Sequence, residues 1–193
     1  MELPRVLTPL TEGQTAEIFL DTFPGVFGRF PTKQEAELLL ALLWNENARG
    51  SKIIQHNWGN IASAGRSNDV YWRPPWYFQE GTLLHDRMLQ GLAPSAFRAY
   101  PNHESGAHAW LSLLATERYR PVMAAAAAGD PSAFAAALNV SYCPDPECAR
   151  LGPTYASLQG SIDRLGYFAA LDSGNLNESP GQTPEKKKTV TGA

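Results

Sequence analysis

The broadest run of helically spaced apolar residues lies between residues 32 and 48. Ala36, Leu39, Leu40, Leu43 and Trp44 form one stripe, and Leu38 and Leu42 widen it. A stripe this wide predicts a central helix rather than a surface one. Thr32 is placed to cap it and Glu35 to complete a capping box, with Gly50 as the stop. An earlier helix is expected over 14–23, ending near Pro24-Gly25. Helical spacing returns after Tyr100-Pro101-Asn102, where Ala107, Trp110, Leu111, Leu114 and Ala115 fall in phase. An alanine-rich helix over 121–128 should end at Gly129, and Asp130-Pro131 offers a cap and a first-turn proline to the next. A last helix is expected over about 153–169, with Tyr155, Leu158, Ile162 and Leu165 on one face.

Between 51 and 100 the helical period is lost, except near 82–92. Asn, Gly, Pro and aromatic residues dominate this stretch, which predicts loops and a short hairpin forming a small lobe beside a cleft. From Asp172 onward the chain is rich in Ser, Gly, Asn, Pro and Lys, the composition of a disordered tail. The expected organisation is one mainly α (α+β) domain over 1–171 and a tail over 172–193, with no internal repeat.

A chain of 193 residues can bury one proper core. The formal net charge of −3 argues against nucleic-acid binding through phosphates, and the one basic run, Lys186-Lys187-Lys188, lies in the tail. No apolar stretch approaches the length of a membrane span. Met1-Glu2-Leu3-Pro4-Arg5 lacks the basic start and apolar core of a signal peptide, so action outside the cytoplasm would need another delivery route. Cys143 and Cys148 share one loop. A bridge closing so short a loop would constrain little, and zinc would need two further ligands that no suitable spacing supplies.

The candidate chemistry centres on Glu46. On a helix it shares a face with Leu42 and Leu43. Burial there disfavours the charged carboxylate and raises its pKa. A protonated carboxyl at the lip of a cleft is the general acid of a glycosidase. The alternative is a structural acid, paired with Arg49 or capping a neighbouring helix.

Several segments resemble, in order, the glucosaminidase family of peptidoglycan hydrolases within the lysozyme-like superfamily. A buried helix ends in Glu46 and is followed by Asn57-Trp58-Gly59-Asn60-Ile61. Next comes Phe97-Arg98-Ala99-Tyr100-Pro101-Asn102-His103-Glu104-Ser105-Gly106, running on to Trp110-Leu111. Gly129-Asp130-Pro131, Phe134-Ala135, Ala137-Leu138 and Ser141-Tyr142 follow, with Ser141 where the family has glycine. The closing Asp-Pro…Tyr-Ala stretch is interrupted: Asp145-Pro146 precedes Tyr155-Ala156 by an insertion carrying Cys148. The similarity spans about residues 32–168, and residues 62–96 match it poorly. It implies a lysozyme-like fold, a bacterial peptidoglycan glycan strand as substrate and cleavage of a β-1,4 bond beside N-acetylglucosamine. No metal or organic cofactor is implied. The site of action would be the cell wall.

The resemblance makes Glu46 the general acid and Tyr142 an assisting tyrosine. Asp69 and Glu80 are the candidates for a second carboxylate, which would activate water or stabilise the oxocarbenium-like transition state. Of the lobe's aromatic residues, Trp58 and Trp72 are the foremost candidates to stack on sugar, the alternative being a small core beneath the loop. Asn57 and Asn60 are candidate acetamido ligands, against the common role of asparagine in satisfying a turn. Tyr100 is a further candidate substrate contact. His103 and His108 mimic a zinc-protease motif with one residue too many, and about 140° of helix turn separates them. Two other functions remain open. One is a non-catalytic glycan-binding or structural component of a phage particle. The other is muramidase or lytic transglycosylase chemistry on the same strand.

Overall fold

Helix α2 (Lys33–Glu46) runs through the centre of the molecule. The structure is a computed structural model that describes residues 1–64, 68–142 and 148–172. Every residue of α2 from Glu35 to Trp44 is buried, so the helix lies inside its neighbours on all sides. The expected capping box is present. Thr32 Oγ1 accepts from the Glu35 amide at 3.2 Å, and the Glu35 carboxylate accepts from the Thr32 amide at 3.3 Å. The same buried carboxylate takes both arms of the Arg29 guanidinium at 2.7 and 2.8 Å, which compensates its burial.

Around α2 stand α1 (Glu12–Phe27), α4 (His103–Leu114), α5 (Arg120–Ala127), α6 (Pro131–Ser141), α7 (Gly152–Leu165) and the short α8 (Ala169–Asp172). Helix α7 lies along α2 and against α6, α5 packs on α6, and α1 packs on α4. The fold is therefore mainly α, as expected, with a two-stranded sheet. Asp130 Oδ1 caps α6 through the Ser132 and Ala133 amides, both at 3.0 Å, with Pro131 in the first turn. No helix among the described residues is long and apolar enough to cross a membrane.

Three expectations need correction. Helix α1 continues through Pro24 to Phe27. Phe23 and Phe27 stack with centroids 4.3 Å apart, and Gly28, in the left-handed region at φ 67°, closes the end. Leu165 is exposed rather than buried. Helix α7 ends at left-handed Gly166 (φ 70°), and Phe168 enters the core instead. The strands β1 (Tyr71–Trp72) and β2 (Phe97–Arg98) pair antiparallel, but no tight hairpin joins them. A 3₁₀ turn, Pro75–Phe78, and helix α3 (Leu83–Leu89) lie between. The tail from residue 173 and Cys143, one half of the Cys143–Cys148 pair, lie outside the described residues.

The connection after α2 positions the small lobe. Ala48, Arg49, Gln55, His56 and Asn60 all take left-handed φ values between 47° and 59°, so the backbone coils tightly without glycine at those points. Residues 3–8 run alongside. The Thr8 amide donates to the Ile53 carbonyl, the Gln55 amide to the Val6 carbonyl, and the His56 amide to Thr8 Oγ1. Two glycines let this coil touch α4. A Cβ at Gly106 would overlap the His56 carbonyl, and one at Gly59 would overlap the Trp110 indole.

The Gly106 contact is backbone against backbone and cannot relax through a rotamer. Gly106→Ala is expected to destabilise the protein by about 3 kcal/mol or more. Urea unfolding of the variant against the wild type checks this, and an unchanged midpoint would contradict it.

Candidate active site

Glu46 is the last residue of α2, at the point where the buried helix reaches partial exposure. Leu42 and Leu43 lie buried beneath it. Burial raises its carboxyl pKa, and a hydrogen bond from Asn60 Nδ2 to Oε2 at 3.2 Å opposes that rise. The expected rival partner is engaged elsewhere. Arg49 pairs with Glu12 at 2.9 Å and lies over the Trp44 ring at 5.2 Å. Among the described residues no cation pairs with Glu46.

Two tyrosines lie close enough to this carboxyl to feel its charge. Tyr142 follows the end of α6, and its hydroxyl donates to the Gly59 carbonyl at 2.5 Å. Its pKa is raised, first by burial and then by the charge of Glu46. Tyr119 meets its ring edge-on at 6.2 Å. Tyr155, buried in α7 with its ring edge against Phe134, is also raised by burial and by Glu46. Both phenols therefore stay neutral beside the acid. Ser141 is buried with its hydroxyl donating to the Arg118 carbonyl at 3.1 Å. Its polar atom is satisfied, and Tyr142 reaches Gly59.

The coil over residues 55–60 ties these parts together. Asn47 Nδ2 donates to the Trp58 carbonyl, Gly59 receives Tyr142, and Asn60 reaches Glu46. Three of the expected substrate contacts belong to the scaffold instead. Trp58 is 0% exposed, packs on Trp110 and donates from Nε1 to His103 Nδ1 at 3.3 Å. Trp72 is 4% exposed and stacks on Phe97 at 5.0 Å. Neither ring offers a face to a sugar. Asn57 is buried, with Nδ2 donating to the Ile61 and Arg98 carbonyls and Oδ1 accepting from the Ile61 amide. Its amide is consumed by the turn.

The other candidates lie in the lobe. Asp69 accepts from Ser63 Oγ at 2.8 Å. Tyr100 is half-buried near Arg98 and Asp69, and burial raises its pKa. Glu80 is exposed in the turn before α3. Neither Asp69 nor Glu80 is among the groups that shift Glu46. Among the described residues no group of three His, Cys, Asp or Glu side chains is placed to hold a metal. Tyr155 is the site residue that residue-by-residue reasoning missed as chemistry. Its signal was the closing Tyr-Ala pair and its place on the buried face of α7.

Comparison with known protein families, with curated proteins and with solved structures finds no match.

His103 at the start of α4 meets His56 edge-on at 4.4 Å. Burial lowers the pKa of both; for His103 burial and the neighbouring His56, opposed by Glu104, bring it to about 4. Both rings are thus neutral at pH 7, as the bond from Trp58 to His103 Nδ1 requires. A folded pKa below the unfolded value of about 6.5 gives stability that is full above pH 6.5 and lost as pH falls towards 4. His103→Gln, which keeps an acceptor without titrating, should flatten melting temperature against pH across that window. An equally steep loss in the variant would contradict the assignment.

Asn60 favours the charged form of Glu46, so its removal should raise the carboxyl pKa further. Asn60→Gly suits the left-handed backbone at φ 48° and removes the amide. If Glu46 acts while protonated, activity falls as pH rises through its pKa, and the variant should move that basic limb to higher pH. A limb that stays in place or moves down counts against the role of Asn60.

Proposed function

We propose that this protein hydrolyses the glycan strand of bacterial peptidoglycan at a β-1,4 bond, as an endo-N-acetylglucosaminidase with Glu46 as general acid. One observation carries this reading. The Glu46 carboxyl is desolvated at the end of a buried helix, bonded to a neutral amide and to no described cation, while the residue keeps part of its surface exposed. These conditions favour the protonated form of a carboxyl that can still meet a substrate. The order of motifs resembling the glucosaminidase family adds the substrate class.

In the proposed mechanism Oε1, free of the Asn60 bond, protonates the leaving glycosidic oxygen. Tyr142 commits its proton to the Gly59 carbonyl, so its oxygen presents lone pairs to the site. It accepts a hydrogen bond from a water or sugar hydroxyl near the reacting carbon. The oxocarbenium-like centre is met by water or by the substrate's own acetamido oxygen. The second route needs no further residue. Tyr155 keeps the far wall of the site neutral and dry, which preserves the acid's proton.

The test is a muropeptide digest with wild-type protein and Glu46→Gln. Loss of at least about 100-fold in cleavage is expected for the variant, the scale of a general acid's contribution. At neutral pH its melting temperature should match or exceed that of the wild type. A carboxyl whose folded pKa is raised contributes stability below the ordinary carboxylate range that is lost as pH rises through the raised value, and glutamine does not ionise. Undiminished cleavage by the variant contradicts the proposal. The product ends decide among the related chemistries. N-acetylglucosamine reducing ends mark the glucosaminidase, reducing muramic acid a muramidase, and anhydro-muramic acid a lytic transglycosylase. Binding of glycan by both proteins without any product would favour a structural glycan-binding component of a phage or injection particle.

A further inference from the structure

Two half-buried histidines join the coil over residues 55–60 to the start of α4. His56 lies in the coil with its backbone left-handed at φ 55°, and His103 is the first residue of α4. Their rings meet edge-on at 4.4 Å. Trp58 Nε1 donates to His103 Nδ1 at 3.3 Å. An indole nitrogen only donates, so His103 Nδ1 is a bare acceptor and the ring is neutral. A proton placed on that nitrogen would point at the indole N–H. His56 Nδ1 is buried with no partner, so a proton there finds no acceptor either. The His56 carbonyl packs directly against Gly106, which leaves the two rings no room to part while the coil stays on α4. One and two residues beyond Trp58 lie both contacts to the candidate acid. The Gly59 carbonyl accepts from Tyr142, and Asn60 donates to Glu46.

We infer that the His56–His103 pair is an acid-operated latch: a proton on His103 turns away the Trp58 indole and frees the coil, and with it Asn60 from Glu46 and Gly59 from Tyr142. The bond that closes the latch exists only while the imidazole is neutral. Left-handed backbone at Gln55, His56 and Asn60 adds local strain that release relieves. A proton on each ring would also set two like charges in contact. Burial and then His56 hold the His103 pKa at about 4, whereas a free imidazole titrates near 6.5. The latch is therefore fully closed above pH 6.5 and weakens as pH falls towards 4. Each pH unit in that window favours the open coil about tenfold, and the gap limits the gain from this ring to roughly 300-fold. Glu104, in the first turn of α4, opposes the latch by favouring protonated rings. Arg5 in the segment beside the coil, Arg49 and Lys52 in the connection after α2, and Arg98 and Tyr100 at the end of β2 are not among the groups that shift either ring.

The experiment follows the isotope-labelled full chain by NMR from about pH 7.5 down to about pH 4 and back. The Trp58 indole N–H and the Gly59 and Asn60 amides are expected to leave their native positions together, with one midpoint inside that window. Amides of α2 and α7 should hold their positions, and neutral pH should restore the coil. His103→Gln keeps an acceptor for Trp58 that does not titrate, and should abolish the shared transition. Glu104→Gln alters an exposed side chain and removes the charge that favours protonated rings, so it should move the midpoint to lower pH. Coil signals that stay native until the helices unfold with them would overturn the inference. So would an equal transition in His103→Gln, or a midpoint that stays in place or rises in Glu104→Gln. These signals report the coil itself, so the outcome stands apart from whether Glu46 cleaves glycan.

Discussion

A carboxyl group sits where a fully buried helix surfaces, and the placement of α2 determines its chemistry. From Glu35 to Trp44 every residue of that helix is enclosed by neighbours. The helix cannot shift without opening the core, so the position of Glu46 is as rigid as the core itself. The same enclosure withholds solvent from its carboxyl and raises the pKa. Position and the raised pKa thus share one cause.

The coil over residues 55–60 transmits that rigidity to the rest of the site. Three of its residues adopt left-handed φ values despite having side chains, a local cost that the surrounding contacts must offset. Gly106 brings α4 directly against the His56 carbonyl, His103 holds Trp58, and Asn47 holds the Trp58 carbonyl. With the coil so fixed, the Gly59 carbonyl meets the Tyr142 hydroxyl and the Asn60 side-chain amide meets Glu46. Trp58 and the two histidines of this region therefore hold the geometry around Glu46 by being packed into the scaffold.

This division explains what could be read from residues alone. Helices α2 and α6 and their caps were legible because a capping box, a proline after aspartate and an apolar stripe are local patterns with one physical outcome. The place of Glu46 was legible for the same reason, since helical spacing alone ties it to Leu42 and Leu43. Trp58 and Trp72 were not, because aromatic density in a loop reads the same whether the rings face a sugar or a small core. Asn57 likewise shows its role only once the Ile61 and Arg98 carbonyls are brought to it. The left-handed backbone at Gln55 and His56 leaves no mark in composition, and the pairing of His56 with His103 depends on packing between distant segments. The burial of Ser141 is explained only by the Arg118 carbonyl, which accepts its hydroxyl from a distant segment. Asp69 and Glu80 were candidates by charge and lobe position alone, neither of which specifies distance from Glu46.

The most direct measurement is a site-resolved titration of the Glu46 side-chain carboxyl by carbon-detected NMR on the full chain, assigned against Glu46→Gln. A midpoint clearly above that of an exposed glutamate, moving higher still in Asn60→Gly, is the predicted result. Titration of Glu46 together with the exposed carboxylates would show that the helix does not shield it, and the general-acid assignment would fail with it.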